Sequence, residues 1–396
     1  MRSVLAGLFV ASALFGQVAA FDRLQAEAAK TKALFLAKDS LDEPALAAIP
    51  LHVALRDWIE SRLPQTPGPT GADLHNLESA LRVQLQAAGL SAPDSSASDG
   101  PGSGYVGLKF EWLHELPDSL VVITSVAVEC GSDQAFYLYQ FHAGKRTRVL
   151  EDHPPSNWGF TGATLQLSDP DSQGRRLLLT HYISVQCQST WMEMAYSVHR
   201  LGNDTGASEP LLTEQHGFWL TIDGPSFVLK PDELIMEFLD SSVDAGVHNR
   251  TRIHRYSFAQ SVQRLDPVAL QPQDFAEEWL TRSWSEMESR SGIDTKVWHQ
   301  QLHSDSVFAE YSGVIPCASP GRWLIALDIL RIGDKEFSDP PPTYFLLRDL
   351  GNYSYSMDAV STVQPAGCLG AGVVSDGGFA SLKHPWLSTA ELKALR

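Results

Sequence analysis

The segment LVVITSVAVEC, from Leu120 to Cys130, decides the fold class that this sequence predicts. The segment from Leu177 to Cys187 reads LLLTHYISVQC, an apolar run of the same length that also ends in a cysteine. Because successive side chains of a strand point to opposite faces, each cysteine lies on the face of the β-branched residues two and four positions before it. The two segments therefore predict equivalent strands of a repeated β unit.

Three similar stretches extend this repeat over residues 105–271. A Pro-Asp pair precedes a strand-like run at 117–118, 170–171 and 231–232, and such a pair favours a turn because proline presets φ and aspartate caps its own backbone. Units of this length with three or four strands resemble the blades of a β-propeller, and the Pro-Asp turn resembles that of TolB-type blades. The resemblance implies a mainly β fold with three blade-like antiparallel repeats, as an open or partial propeller.

The residues before the repeat predict helices. Apolar residues recur at helical spacing over 51–63 and over 74–88, and residues 23–38 are a less regular candidate. These stripes indicate a helical N-terminal region over 21–90. Residues 91–104 consist of turn and linker residues, and they predict a flexible boundary before the β-repeat domain.

The residues after the repeat, 272–396, combine a helical stretch with four strand-like runs between 307 and 363. No Pro-Asp pair opens this block. The sequence therefore favours a small α+β C-terminal domain, and a fourth repeat unit is the alternative.

The N-terminus and the composition predict where the protein works. Residues 1–20 carry one basic residue, then an apolar stretch, then small residues, which is typical of a secretory signal peptide. The formal net charge of −17 argues against nucleic acid and anionic membrane surfaces as partners. No other segment is apolar enough to span a membrane. We expect a soluble protein, secreted or periplasmic, whose partner is an extracytoplasmic ligand or protein.

Export changes how the four cysteines are interpreted. An even number of cysteines in an oxidising compartment favours disulfides, and four cysteines allow three pairings. Equivalent strand ends in neighbouring repeats favour a bond between Cys130 and Cys187. Similar turn-like settings near the C-terminal strands favour a bond between Cys317 and Cys368.

A search for reactive groups finds few candidates. The usual nucleophile, phosphate-binding and dinucleotide-binding signatures are absent, and the sequence predicts neither a metal site nor a cofactor. A site built on His299 and His303 is the alternative, since the two could share a helix face. The stretch 168–174 resembles the start of a calcium loop but lacks the later ligands, which favours a β-turn. The titratable candidates are Glu151, Asp152, His153, His181 and Tyr182.

Aromatic residues are the candidates for binding. Trp158, Trp191 and Trp219 lie in or beside the repeat, where exposed rings can stack on sugars or peptide side chains. The sequence favours a non-catalytic binding or scaffold protein for a glycan, a peptide or an envelope partner. The alternative is a secreted hydrolase of an extracellular polymer that uses paired carboxylates. Convergent titratable side chains in a cleft would indicate the enzyme, whereas a shallow aromatic face would indicate the binder.

Overall fold

The structure is a computed structural model. It describes residues 2–37, 44–63, 71–91, 105–116, 118–128, 131–142, 145–153, 160–184, 191–202, 208–219, 224–240, 242, 250–265, 269–303, 308–330, 342–351 and 353–368.

Six α-helices and sixteen strands lie within these residues. The helices are α1 (Arg2–Ala37), α2 (Pro44–Arg62), α3 (Gly71–Ala87), α4 (Pro272–Thr281), α5 (Trp284–Met287) and α6 (Thr295–Leu302). The strands are β1 (Val106–Trp112), β2 (Ser119–Val128), β3 (Gly131–His142), β4 (Lys145–Asp152), β5 (Phe160–Leu167), β6 (Arg176–Ser184), β7 (Trp191–Leu201), β8 (Glu209–Trp219), β9 (Ser226–Leu229), β10 (Glu233–Asp240), β11 (Arg250–Ser257), β12 (Gln263–Arg264), β13 (Phe308–Pro316), β14 (Arg322–Leu330), β15 (Thr343–Gly351) and β16 (Ser354–Ser361).

Each set of four consecutive strands forms one antiparallel sheet, in which every strand pairs with its neighbours in sequence. We name these sheets A (β1–β4), B (β5–β8), C (β9–β12) and D (β13–β16). The prediction of a mainly β fold is confirmed, but the count of three repeats is too low. Sheet D has the same strand order as sheets A to C, although no Pro-Asp pair precedes its second strand. The turn before β14 contains Gly321 at φ +69° instead. The arrangement of the sheets as a propeller stays a prediction.

Two compact units divide the chain: Met1–Gly217 with Leu229–Pro231, and Phe218–Val228 with Asp232–Arg396. In the first unit, helices α1 to α3 pack on one face of sheet A. The predicted apolar stripe of α2 lies in this core, where Leu51, Leu55 and Trp58 are fully buried. The helices and sheet A therefore share one hydrophobic core.

The opposite face of sheet A packs against sheet B. Phe136 and Leu138 of β3 share a second core with Leu178 and Tyr182 of β6. Sheet A is thus covered on both faces, and a polar side chain on either face has to find a partner inside the protein. The predicted domain boundaries stay predictions, and all of the predicted linker except Ser91 lies outside the described residues.

In the second unit, helices α4 to α6 pack on sheet D around a core that includes Phe275 and Trp279 of α4. A disulfide joins Cys317, directly after β13, to Cys368, after β16, so this predicted pairing is confirmed. The other predicted pair, Cys130 and Cys187, lies outside the described residues.

Within the described part of the chain, none of the helices has both the length and the apolar character needed to cross a bilayer.

Candidate functional site

A buried carboxylate, Asp133, lies at the centre of the candidate site. In the sequence, residues 131–134 read as a polar turn, but β3 already begins at Gly131 and Asp133 pairs with Val126 of β2. The side chain of Asp133 has no exposed surface. These residues are poor strand formers, but β3 pairs with β2 along all of them. The buried carboxylate needs hydrogen-bond partners inside the protein.

Three elements bring partners to Asp133. Its Oδ2 atom lies 2.7 Å from Nε2 of His153, which follows β4, and 3.1 Å from Nε2 of His52 in α2. The backbone N–H of Phe160, the first residue of β5, donates to Oδ1 at 3.0 Å. Residues from α2, β3, β5 and the end of β4 therefore meet at one carboxylate.

His52 reaches this carboxylate from the apolar face of α2. It follows Leu51 and precedes Leu55 by three residues, so packing of the helix on sheet A buries the imidazole together with these leucines. Its Nδ1 atom lies 3.0 Å from Oγ1 of Thr124 in β2. Burial is the largest influence on this ring and lowers the pKa of His52, which favours the neutral imidazole.

The charge of Asp133 is stabilised despite its burial. Burial raises the pKa of Asp133, but hydrogen bonds and charge from His153 and His52 outweigh this effect and hold the pKa at about 2. Among the three side chains, that of His153 is partly exposed, at 19%, whereas those of His52 and Asp133 are buried. The rings of His52 and His153 lie 4.8 Å apart. An ionised carboxylate is thus flanked by two imidazoles, one of which reaches solvent.

A second polar group lies on the opposite face of sheet A. Asp152 pairs with Phe136, so its side chain points toward sheet B. The hydroxyl of Thr180 donates to Oδ2 of Asp152, and the Tyr182 hydroxyl lies 3.1 Å from the same atom. Burial is the largest cause that raises the pKa of Tyr182 well above 10. Asp152 therefore joins sheets A and B through two hydroxyl groups.

The remaining titratable candidates do not join either group. Glu151 forms surface ion pairs with Arg56 at 2.6 Å and with Arg148 at 3.2 Å. His181 lies 2.6 Å from the hydroxyl of Thr164, and burial lowers the pKa of His181 to about 4. Of the predicted residues, the structure thus places His153 in the candidate site and Asp152 and Tyr182 on the other face of sheet A.

The calcium-like stretch forms a turn, as favoured from sequence. The carboxylate of Asp171 accepts hydrogen bonds from the backbone N–H groups of Gln173 and Arg175 at 2.8 and 2.9 Å. The Arg175 guanidinium also donates to Asp171 at 2.9 Å. Because its own turn occupies the carboxylate, this segment does not assemble a calcium site.

The predicted aromatic residues can be described only in part. The Trp191 ring packs against Gly217 of β8, where an added Cβ atom would lie 2.5 Å from the ring. Trp158 and the side chain of Trp219 lie outside the described residues. A binding role for these three residues stays a prediction.

The second unit buries a charged group of its own. The Arg250 guanidinium pairs with Glu277 at 2.8 Å and with Glu278 at 3.1 Å, and the Tyr311 hydroxyl donates to Glu277 at 2.6 Å. Burial is the main cause that raises the pKa of the neighbouring Asp274 to about 7. Arginines compensate these carboxylates, and the group fastens α4 to β11.

The alternative metal pair, His299 in α6 and His303 directly after it, has a structural role. Nε2 of His299 lies 3.0 Å from the carbonyl oxygen of Arg282, and Nδ1 of His303 lies 2.9 Å from that of Leu280. The two rings stack with their centroids 5.0 Å apart. They satisfy carbonyl groups at the C-terminal end of α4 that have no partner within the helix.

No protein-family model matches the chain, and no curated protein matches it. Among solved structures, the chain is similar to the α-L-arabinofuranosidase of Fusarium graminearum in complex with arabinobiose and to a mutant of that enzyme with an iminosugar inhibitor. The identity is 9%, and the matches cover 63% of this chain and 65% of the enzyme, with TM-scores of 0.24 and 0.25. The chain thus spans less than two thirds of the enzyme, and a likeness this distant says nothing about its residues or substrate.

The prediction of a non-catalytic binding or scaffold protein is wrong. The first unit brings titratable groups together at Asp133, which we expected of an enzyme and not of a binder. The alternative prediction of a hydrolase fits better. Sequence reasoning missed His52 and Asp133, although a histidine on the apolar face of α2 was a signal that a buried partner exists.

Proposed function

We propose that this chain is an exported hydrolase and that His52, Asp133 and His153 form its catalytic centre. The observation that carries the proposal is the convergence of two imidazoles on one buried carboxylate oxygen, at 3.1 and 2.7 Å. A carboxylate that fixes the orientation of an imidazole is a recurring means of activating water or a hydroxyl group for hydrolysis.

The three side chains have different roles in this proposal. His153 meets the attacking water because it alone of the three is partly exposed. Asp133 orients His153 and stabilises positive charge that develops on the imidazole during proton transfer. His52, which is buried, fixes the carboxylate from the other side.

The chemistry that we propose uses histidine and aspartate in place of a carboxylate pair. Asp133 lies on the face of β3 that carries Ala135 and Tyr137, toward the helices, whereas Asp152 points toward sheet B. These two carboxyl groups therefore do not face one another across a substrate, as the glycosidase arrangement requires.

Features of the sequence support the proposed export and substrate class. The predicted signal peptide at 1–20 and the disulfide between Cys317 and Cys368 support a location in an oxidising compartment. The formal net charge of −17 disfavours polyanionic substrates. We therefore propose a neutral extracellular polymer, a polysaccharide or a protein, as the substrate.

Hydrolysis assays with a panel of neutral polysaccharides and proteins test this function. The His153→Ala variant should lower the rate of any hydrolysis by about 10²–10⁴-fold, the usual contribution of a general acid or base. His75, an exposed residue of α3, provides the control variant His75→Ala. Equal rates for His153→Ala and the unchanged protein, or no hydrolysis of any member of the panel, would overturn the proposal.

A further inference from the structure

We propose that His52, Asp133 and His153 together bind a divalent transition-metal ion, with Zn²⁺ as the best match. This inference rests on the proposed function, because it names a cofactor of the same centre. With the ion bound, Nε2 of His153 would hold the metal and would no longer accept the proton of the attacking water. One atom from each side chain can act as a ligand, and these three atoms all lie within 4.8 Å of one another.

The two oxygen-to-nitrogen distances of the cluster are close to those of tetrahedral coordination. Zinc bonds of about 2.0–2.1 Å place neighbouring ligand atoms of a tetrahedral site about 3.3 Å apart. Oδ2 of Asp133 lies 3.1 Å from Nε2 of His52 and 2.7 Å from Nε2 of His153. The three ligand atoms lie within 4.8 Å of one another, so one ion placed among them would need only local side-chain adjustments to contact all three.

The chemistry of the donors selects the class of metal. Two of the three ligands are imidazole nitrogens, whereas Ca²⁺ and Mg²⁺ are bound through oxygen. Imidazole suits zinc and its neighbours in the first transition row. Three protein ligands also leave a fourth position, which in catalytic zinc sites holds a water molecule or the substrate.

The charge of the site favours a cation. Within the described part of the chain, the ion pairs of Asp133 are with His52 and His153, and it has no lysine or arginine partner. Burying an ionised carboxylate without a compensating charge is unfavourable. A divalent ion would supply this charge at the point where the two imidazoles meet the carboxylate.

The groups around the ligands orient them as outer-shell partners do in metal sites. The backbone N–H of Phe160 holds Oδ1 of Asp133 at 3.0 Å, which leaves Oδ2 for the ion. Thr124 contacts Nδ1 of His52 at 3.0 Å. A threonine hydroxyl can donate or accept a hydrogen bond, so His52 can present Nε2 as an N–H group to Asp133 or as a lone pair to a metal without losing Thr124.

When bound, the ion would lower the pKa of its water ligand and so generate a nucleophile near neutral pH. The protein's own contributions are the hydrogen bond from Phe160 to Oδ1 of Asp133, which fixes the position of Oδ2, and the burial of His52 away from bulk water. Of the three ligands, His153 is the one with a partly exposed side chain, at 19%.

Isothermal titration calorimetry of the full chain, first dialysed against a chelator, tests metal binding with Zn²⁺ and with Mg²⁺ as a comparison. We expect one Zn²⁺ per chain, much weaker binding of Mg²⁺, and loss of the Zn²⁺ site in His153→Ala. The Thr124→Val variant keeps all three ligands and the shape of the side chain but removes the hydroxyl that contacts His52. Its affinity for Zn²⁺ should fall by about 10–100-fold with an unchanged stoichiometry. The exposed control, His75→Ala, should bind Zn²⁺ like the unchanged protein.

Absence of Zn²⁺ binding, or equal affinity in His153→Ala, would overturn the metal site. Circular dichroism of each variant separates loss of the site from loss of the fold. Hydrolysis that persists at full rate in chelator would overturn the metal inference and leave the proposed hydrolase intact. Stoichiometric Zn²⁺ binding without hydrolysis of any substrate would support the site and overturn the hydrolase.

Discussion

Replacing Asp133 by asparagine tests whether the charge of this carboxylate holds the candidate site together. The Asp133→Asn substitution preserves the size of the side chain and an oxygen atom for the N–H of Phe160. It replaces the ionised carboxylate between His52 and His153 by a neutral amide. We expect the folded state to lose stability at neutral pH, because hydrogen bonds to an ionised acceptor are stronger than those to an amide.

The pKa of Asp133 sets the magnitude. Burial, the largest single effect, raises this pKa, but hydrogen bonds and charge from His153 and His52 lower it from 3.8 to about 2. A shift of this size corresponds to about 2 kcal/mol of stability. Because the pKa is lowered in the folded state, the stabilisation is complete above the unfolded value and is lost as the pH falls toward 2.

Urea unfolding followed by tryptophan fluorescence measures this contribution. At pH 7 the Asp133→Asn variant should be about 2 kcal/mol less stable than the unchanged protein, and at pH 2 most of this difference should vanish. Asp169, exposed in the turn before β6, gives the matched control Asp169→Asn, which should stay within about 0.5 kcal/mol. Equal stability of the Asp133 variant at pH 7, or a difference that persists at pH 2, would refute the reasoning.

Three further predictions concern other parts of the chain. Burial raises the pKa of Asp274 from 3.8 to about 7, so the folded state keeps a proton that the unfolded chain releases, and stability should fall as the pH rises through this window. In Asp274→Asn, the free energy of unfolding by urea should not fall between the two ends of this pH window. A fall equal to that of the unchanged protein would contradict the raised pKa of Asp274. The bond between Cys317 and Cys368 spans 51 residues, so replacing both by alanine should cost about 4 kcal/mol and lower the urea midpoint; an unchanged midpoint would argue against this. N-terminal sequencing of the exported protein should begin at Phe21, and a chain that begins at Met1 would exclude the signal peptide.

The sheets could be predicted because burial at a period of two residues is a local property of the sequence. Strand β2 covers the opening segment as far as Val128, and α2 covers the predicted apolar stripe. Sheet D was assigned to a different kind of domain because the prediction relied on the Pro-Asp turn. A turn between two strands can be formed by several combinations of residues. In the turn before β14, Gly321 adopts a positive φ, and no proline is needed.

The candidate site could be predicted only in part, since its residues meet through tertiary packing. His153 stood out as a titratable residue at the end of a strand. His52 and Asp133 are 81 positions apart, and they meet because α2 packs on sheet A. One sequence does not specify which strand a helix face covers. It does show that a histidine between Leu51 and Leu55 will be buried, which requires a polar partner.

The composition of the Asp133 cluster distinguishes it from the groups around Asp152 and Arg250. Hydroxyl groups satisfy Asp152, and Arg250 compensates the carboxylates of the second unit, and both arrangements tie elements of the fold together. Within the described residues, the side chains that contact the Asp133 carboxylate are imidazoles, which can exchange a proton or bind a metal at neutral pH. Apolar side chains of similar size would often give a core at least as stable as buried charges. Stability alone therefore does not explain this cluster, and the proposed activation of water at the partly exposed His153 gives it a reason.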